Sequence, residues 1–202
     1  TKDNDDWRES FIAAMHHRAG GQAEELAENI DLTNVNRVLD IGGGSGVFSM
    51  GVIMKKPEAE AVVFDLPEVT PITKRYIKDE GFAGSITTLD GDLHNDDFPK
   101  KFDLIIISAI VHMNSYQENK DMIAKAYDSL NSGGQMVIKD FVMEDNRIEP
   151  PEGAMFAINM LVNTEGGDSY TEREIREWFE NAGIEKIERK GSYYGGDLMI
   201  GY

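Results

Sequence analysis

The sequence predicts an α/β fold: a seven-stranded, mostly parallel sheet with helices on both faces and its last strand antiparallel. Three observations carry that expectation. Short apolar runs rich in β-branched residues alternate with helix-compatible segments along most of the 202 residues. Phe102 to Ser108 (FDLIIIS) is apolar almost throughout, as a strand covered on both faces must be. The first run, Arg37 to Gly46 (RVLDIGGGSG), passes from strand into a glycine-rich turn and then into a helical segment, the order in which a nucleotide-binding sheet opens.

Taken in order, residues 1–6 are polar and expected to fray. Trp7 to Arg18 carries Trp7, Phe11, Ile12 and Met15 at helical spacing; the Gly20–Gly21 pair is expected to stop this helix, with Ala23 to Ile30 as a second helical piece. The first strand is Arg37 to Ile41, followed by a helix over Val47 to Lys55. The second strand is Glu60 to Asp65 (EAVVFD), after which Pro67 opens a helix running to about Glu80. Ser85 to Asp90 is the third strand, a polar loop continues through Pro99, and Phe102 to Ser108 is the fourth strand. A helix from Tyr116 to Leu130 is closed by Asn131-Ser132-Gly133-Gly134, and the fifth strand is Gln135 to Phe141. Glu152 to Val162 and Thr171 to Ala182 read as helices, the second with Thr171 and Glu174 spaced as a capping box. Ile184 to Lys190 and Asp197 to Tyr202 complete the sheet.

Composition narrows the function. A net charge of −17, with no basic cluster longer than Lys100–Lys101, excludes nucleic acid as a partner, because phosphate contacts need a Lys/Arg face. Zero cysteines remove disulfides, thiolate metal sites and a cysteine nucleophile, and suit a cytoplasmic protein. No apolar stretch reaches the roughly 18 residues that span a membrane, and no signal-peptide pattern opens the chain, so no membrane partner is expected. Thr1 in first place, rather than Met, points to a processed or excised chain.

The glycine turn defines a Rossmann-like site. In it Gly42 and Gly44 allow positive φ and let a ligand approach backbone that carries no Cβ. The dinucleotide spacing G-x-G-x-x-G fails in both registers, because the third glycine falls on Val47 or Ser49. What fits is apolar-apolar-Asp-apolar-Gly-x-Gly-x-Gly, with Asp40, Gly42, Gly44 and Gly46. That pattern resembles motif I of the class I S-adenosylmethionine-dependent methyltransferases.

Open sheets bind ligands beyond the carboxyl ends of their strands, so the chemistry is sought there. The second strand ends in Asp65, 19 residues after Gly46, where a carboxylate can bridge ribose hydroxyls; alternatively it caps the helix at Pro67. Such charge-assisted bonds are worth about 1.5–3 kcal/mol each, and the same charge repels a 2′-phosphate. After the third strand, Asp92 and Leu93 offer an acid and an apolar face to an adenine. The fourth strand leads through Ser108 to His112, and the fifth ends in Asp140. A carboxylate at one strand end can fix the tautomer of an imidazole at the next and leave the other ring nitrogen as a base. A phenol with a pKa near 10 lies roughly 4 kcal/mol from ionising at pH 7. Proton removal during attack recovers part of that, about 10²–10⁴ in rate.

The segments LDIGGGSG, VFDLPEV, GDLHND, FDLIIISAIVHMN, SGGQMVIKDF, FAINMLVNTEGG and TEREIREWFENAGI, in this order, resemble the plant-type O-methyltransferase family in its bacterial branch, which includes caffeate and hydroxyindole O-methyltransferases. The resemblance covers about Phe11 to the C-terminus. It implies an S-adenosylmethionine-dependent transfer of methyl to a hydroxyl of a small aromatic acceptor, with no metal. Asp40, Gly42, Gly44 and Gly46 then surround the methionine part of the cofactor, Asp65 and Leu66 its ribose, and Asp92, Leu93 and Ser108 its adenine side. His112 falls on the general base and Asp140 on an acid that orients it. Phe11, Met15, Phe156, Asn159 and Met160 fall on the acceptor pocket, although for Phe11 and the methionines spacing alone fits core packing equally well.

The sequence departs from the family at three places. The second acid that orients the base falls on Ser169, and a lysine four residues before the base falls on Ser108. The family's N-terminal winged-helix dimerisation domain has no counterpart here. The expected division is therefore an N-terminal helical segment, 1–35, packed on a catalytic domain, 36–202, with homodimerisation reserved for the longer parent. A metal-dependent catechol methyltransferase is disfavoured by Ser108 and Asp140-Phe141 where its carboxylates would stand, and a nucleic-acid amino-methyltransferase by SAIVH after the fourth strand. The alternatives kept are a C-methyltransferase on a large ring and a non-catalytic S-adenosylmethionine-binding subunit.

Overall fold

The seven strands and six α-helices alternate as expected, and their lengths follow from where each apolar run is buried. The computed structural model describes residues 2–202, with side chains from Asp5 onward. Thr1, the first of the residues expected to fray, lies outside the described residues, whereas the backbone of residues 2–6 is helical. In chain order the elements are α1 (Lys2–Asn29), β1 (Arg37–Ile41), α2 (Val47–Lys55), β2 (Glu60–Asp65), α3 (Thr70–Asp79), β3 (Ile86–Asp90), β4 (Phe102–Ser108), α4 (Tyr116–Tyr127), β5 (Leu130–Asp140), α5 (Pro151–Asn163), α6 (Glu172–Ala182), β6 (Ile187–Gly191) and β7 (Asp197–Gly201). They fall into two compact units, one ending at Asp96 and the other starting at Asp97.

In the first unit β3, β2 and β1 lie side by side and parallel, in that order. The register pairs Ile41 with Phe64 and Asp65 with Asp90, so the three carboxyl ends share one edge. Val38, Leu39, Ile41, Val63 and Phe64 are buried between the strands and their helices. The Gly20–Gly21 pair does not stop α1, which runs through it as one helix. Each glycine costs about 1 kcal/mol against alanine in a helix. Burying Leu26 and Ile30 on the same stripe, at about 1.5–3 kcal/mol each, outweighs that. The stripe seats closely because α2 offers Gly51: a Cβ there would stand 2.7 Å from the Ala23 carbonyl oxygen. At α3 the structure also departs from the expected start. Leu66 to Val69 forms a turn closed by Val69 N–H to Leu66 O (2.8 Å), and the helix begins at Thr70 with Pro71, not Pro67, in its first turn. The Thr70 hydroxyl donates to Asp90 Oδ1 at 2.6 Å, a tertiary bond that fixes this start.

In the second unit β4 and β5 are parallel, β7 runs antiparallel between β5 and β6, and the order is β4-β5-β7-β6. Leu104 to Ile107 of β4 are fully buried, as are Val137 and Ile138 of β5 and Leu198 to Ile200 of β7. β5 starts five residues before the expected Gln135. Pairing jumps from Phe102↔Leu130 to Leu104↔Gln135, so Asn131 to Gly134 form an irregular excursion inside the strand rather than a helix stop, and α4 ends earlier, at Tyr127. The capping box at Thr171 and Glu174 is present, and Ser115 with Glu118 makes a second.

Asp40, on β1, is fully buried, and its Oδ2 accepts from the hydroxyl (2.9 Å) and backbone N–H (3.3 Å) of Ser49, which caps α2 from beneath. Its Oδ1 has no partner. Burial pushes this carboxyl up from 3.8 to about 6, against the Ser49 bonds, with the Asp65 charge adding to the rise. A carboxyl whose folded-state pKa lies above its unfolded value contributes stability that is complete below about pH 4 and lost as pH rises through 6. Asp40→Asn, neutral at every pH, is therefore expected to be more stable than the parent, with a melting-temperature advantage that grows from pH 5 to pH 8. Gly51→Ala is expected to force α1 off α2 at about 1–3 kcal/mol, a fall of roughly 2–12 °C in melting temperature. Gly20→Ala, where an added Cβ meets nothing within 4 Å, is expected to gain about 0.5–1 kcal/mol in the same thermal scan.

Candidate functional site

The turn after β1 is built for exposed backbone. Gly42, Gly44 and Gly46 hold φ of 66°, 56° and 79°, the left-handed region that costs side-chain-bearing residues strain. Each turn residue is also held. Gly42 N–H donates to Phe64 O at 2.8 Å. Gly44 donates its N–H to Asp65 Oδ2 (2.8 Å), and its carbonyl accepts from the Thr73 hydroxyl (2.5 Å). Ser45 Oγ shares a hydrogen bond with His16 Nδ1 at 2.9 Å. Gly46, the residue before α2, gives that helix no side-chain cap. Asp65 thus faces the turn. Its other oxygen accepts from Leu66 N–H at 2.8 Å. Burial raises its pKa, partly offset by those two backbone donors.

The remaining residues of the cofactor set behave differently. The Leu66 side chain is exposed. Asp92 uses its carboxylate within its own turn, accepting from His94 N–H (2.9 Å) and Asn95 Nδ2 (2.7 Å), while Leu93 stays half-buried beside it. Gly91 is needed there because a Cβ would strike the Phe64 ring at 2.2 Å. On α1, Phe11 stacks on Trp7 (centroids 5.3 Å, 10° between planes), and both rings, with Met15, are solvent-exposed.

The second unit carries His112 and Asp140. β4 ends at buried Ser108, and Ala109 then adopts a left-handed φ of 56°, its N–H bonded to Lys139 O at 2.9 Å. This conformation costs a side-chain-bearing residue about 1–2 kcal/mol. It turns the chain into the short 3₁₀ segment Val111–Met113, which presents His112 to the end of β5. His112 Nδ1 lies 3.0 and 2.9 Å from the two oxygens of Asp140, which is itself buried. A carboxylate only accepts, so Nδ1 carries the proton and Nε2 keeps the lone pair. Nε2 takes no hydrogen bond among the described residues. The Phe156 ring meets the imidazole edge-on at 4.8 Å and 84°, and Phe141 packs against Phe156 at 4.9 Å. Ser169, the expected counterpart of a second orienting acid, donates instead to Gly153 O (2.8 Å) and makes no hydrogen bond to His112. Met160 is buried in α5, whereas Asn159 is exposed and accepts from the Asn163 amide one turn on. No group of three or more His, Asp or Glu among the described residues is arranged to hold a metal ion.

Four residues of this arrangement escape sequence reasoning. Ser49 and Thr73 look like ordinary helix positions until the turn closes over them. Phe141 follows Asp140 directly, so its packing on Phe156 was signalled only by position. His16 follows Met15 in FIAAMHH, and nothing there announces a partner 29 residues away.

The sequence profile described as the O-methyltransferase domain matches residues 1–185. The chain is similar to the 3-hydroxy-5-methyl-1-naphthoate 3-O-methyltransferase of Streptomyces sahachiroi, 31% identical over 179 residues, or 89% of this chain and 52% of that protein. It is similar to the L-tyrosine C(3)-methyltransferase of Streptomyces lavendulae, 28% identical over 183 residues, 90% of this chain and 50% of that one. Among solved structures it is similar to an O-methyltransferase family 2 protein from Planctomyces limnophilus DSM 3776 in complex with apigenin: 25% identity, TM-score 0.85, 96% of this chain and 61% of that chain. The chain spans about half the length of the curated relatives it matches. A glycine turn gripped by an acid, a histidine gripped by another, and a profile that runs through nearly all of both units lead to one conclusion: the chain belongs to the O-methyltransferase domain family.

Proposed function

We propose that the protein is an S-adenosylmethionine-dependent O-methyltransferase that methylates a hydroxyl of a small aromatic acceptor, with His112 as general base. The observation that carries this reading is the shared grip of both Asp140 oxygens on His112 Nδ1, which leaves Nε2 as a basic lone pair beside the Phe156 edge. The names of the relatives agree: one methylates the 3-hydroxyl of a naphthoate, and the Planctomyces protein is solved with apigenin.

The residues of the first unit fit the cofactor. A carboxylate offers about four acceptor positions, and the backbone bonds of Asp65 occupy two, leaving two for ribose hydroxyls. Bound S-adenosylmethionine supplies a methyl group on a positively charged sulfur. Asp40 and Asp65 give the turn the opposite charge, and the unpartnered Asp40 oxygen is the acceptor left in its floor. Nε2 takes the acceptor's hydroxyl proton as the oxygen attacks, and Asp140 stabilises the imidazolium that results. Phe156 and Phe141 offer an apolar, edge-rich wall suited to a flat ring. Homodimerisation belongs to the same reading: further sequence of the parent would cover the exposed Met155, Ile158, Leu161 and Val162 of α5. A cytoplasmic location is proposed on the cysteine-free composition; no helix among the described residues is long and apolar enough to cross a membrane.

Likeness to a tyrosine C(3)-methyltransferase favours a second reading. Deprotonating a phenol also places charge on the ring carbon beside the oxygen, so the same base serves C-methylation, and product analysis separates the two. In the whole protein, His112→Ala is expected to lower turnover by about 10²–10⁴ while calorimetry finds S-adenosylhomocysteine bound as before. Unchanged turnover in an active parent would remove His112 as the base, and a parent that binds the cofactor product but turns over no acceptor would return the chain to a binding role. Asp65→Asn is expected to weaken that binding about 10- to 150-fold, equivalent to about 1.5–3 kcal/mol. A parent that binds no S-adenosylhomocysteine, or an Asp65→Asn variant that binds it as tightly as the parent, would remove the reading of the turn.

A further inference from the structure

The N-terminal helix touches the glycine turn through one polar side chain. On α1 the buried stripe runs through Ile12, Ala23, Leu26 and Ala27, and His16 sits in it as the ionisable member. Its ring is half-buried, lies 4.3 Å from the Tyr76 ring of α3 at 30° between planes, and places Nδ1 2.9 Å from the hydroxyl of Ser45. Ser45 is itself buried, between the two left-handed glycines Gly44 and Gly46. Nearby, Thr73, one turn before Tyr76 on α3, holds the Gly44 carbonyl, and Glu9 of α1 pairs with Arg75 at 2.9 Å. That last pair is exposed on both sides and adds little.

The chemistry of the contact is specific. A stripe position that only had to pack would be served by an aliphatic side chain, as its neighbours are. Burial lowers the His16 pKa, with Glu80 opposing and His17 assisting, so the ring is neutral at pH 7 and one proton is shared with the Ser45 hydroxyl. Of the five turn residues, Ser45 alone carries a side chain, and His16 is its partner. The turn is therefore latched from four sides: Asp40 below through Ser49, Asp65 and Thr73 on Gly44, and His16 on Ser45.

We infer that His16 is a positioning residue for the cofactor: through its bond to Ser45, the docked N-terminal helix holds the glycine turn in the shape that S-adenosylmethionine binds. This rests on the turn being the cofactor site, as proposed above. Nothing about the acceptor or the base enters it, so His16 sets cofactor affinity and leaves the proton-transfer machinery alone.

The test is a double-mutant cycle read by calorimetry of S-adenosylhomocysteine binding to the chain, with His16→Ala, Ser45→Ala, the pair together, and His16→Asn, whose amide reaches the place of Nδ1. Loss of one neutral hydrogen bond is expected to weaken binding about 2- to 10-fold in each single variant. The double variant is expected to be no weaker than either single, because both remove the same bond, and His16→Asn to recover most of the affinity. A merely structural role for His16 would lower the melting temperature without this non-additivity or rescue. Parent-like affinity in His16→Ala, or effects of His16→Ala and Ser45→Ala that simply multiply, would overturn the inference while leaving the turn as the cofactor site. A parent that does not bind would overturn both.

Discussion

The bond from Gly44 N–H to the Asp65 carboxylate is the constraint on which the first unit's site depends. It joins the end of one strand to the turn after its neighbour, and it can form only because both features occur together. The left-handed backbone at Gly44 turns an N–H outward, and the parallel register of β1 and β2 brings the end of β2 alongside. As a charge-assisted bond it is worth about 1.5–3 kcal/mol. Its cost is a carboxylate taken partly out of water near a second, fully buried one: burial raises the pKa of both, and the Asp65 charge adds to the rise of Asp40. The turn thus sets two acids beside backbone that carries no Cβ at Gly42, Gly44 and Gly46.

The second unit solves a different problem with the same device. A strand end supplies an acid, the neighbouring strand end supplies a group to be oriented, and a parallel pairing sets them side by side. Here the oriented group is an imidazole, and its packing comes from aromatic rings rather than from a further acid. Ser169, where the resemblance led us to expect the counterpart of a second acid, instead bonds the α5 backbone and joins two segments of the chain. One carboxylate with two oxygens on one nitrogen is sufficient to define the tautomer.

Much of this was readable beforehand, and the reasons differ from element to element. β1, α2, β2 and β4 began and ended where the residues said, because each is a short apolar run bounded by glycine, proline or charge and buried on both sides. The capping box at Thr171 is local chemistry and was equally plain. Three of the misreadings concern breakers whose effect depends on distant partners. Gly20–Gly21 did not break α1, because its apolar stripe is anchored beyond the pair and Gly51 of α2 admits its backbone. Pro67 lost the start of α3 to Thr70, which Asp90 holds. Asn131 to Gly134 became an excursion within β5 because Asp103 and its neighbours had to be bridged, with Asp103 accepting from the Asn131 amide at 2.7 Å. Among the site residues, Asp65, His112 and Asp140 were visible as polar groups at strand ends. Thr73, Ser49 and His16, which bond the glycine turn and the buried Asp40 beneath it, were not, because a helix position says nothing about which loop it faces.

Ala109 carries a consequence for how this chain can drift. Its left-handed backbone is what swings His112 out of the line of β4, and only a compact residue tolerates that geometry. Valine, isoleucine or threonine there would drag the main chain back toward an extended path and carry the imidazole with it. A position with no chemistry of its own therefore polices the aim of the one ring nitrogen left with a lone pair, and homologous sequences should admit glycine, alanine or asparagine at it and little else.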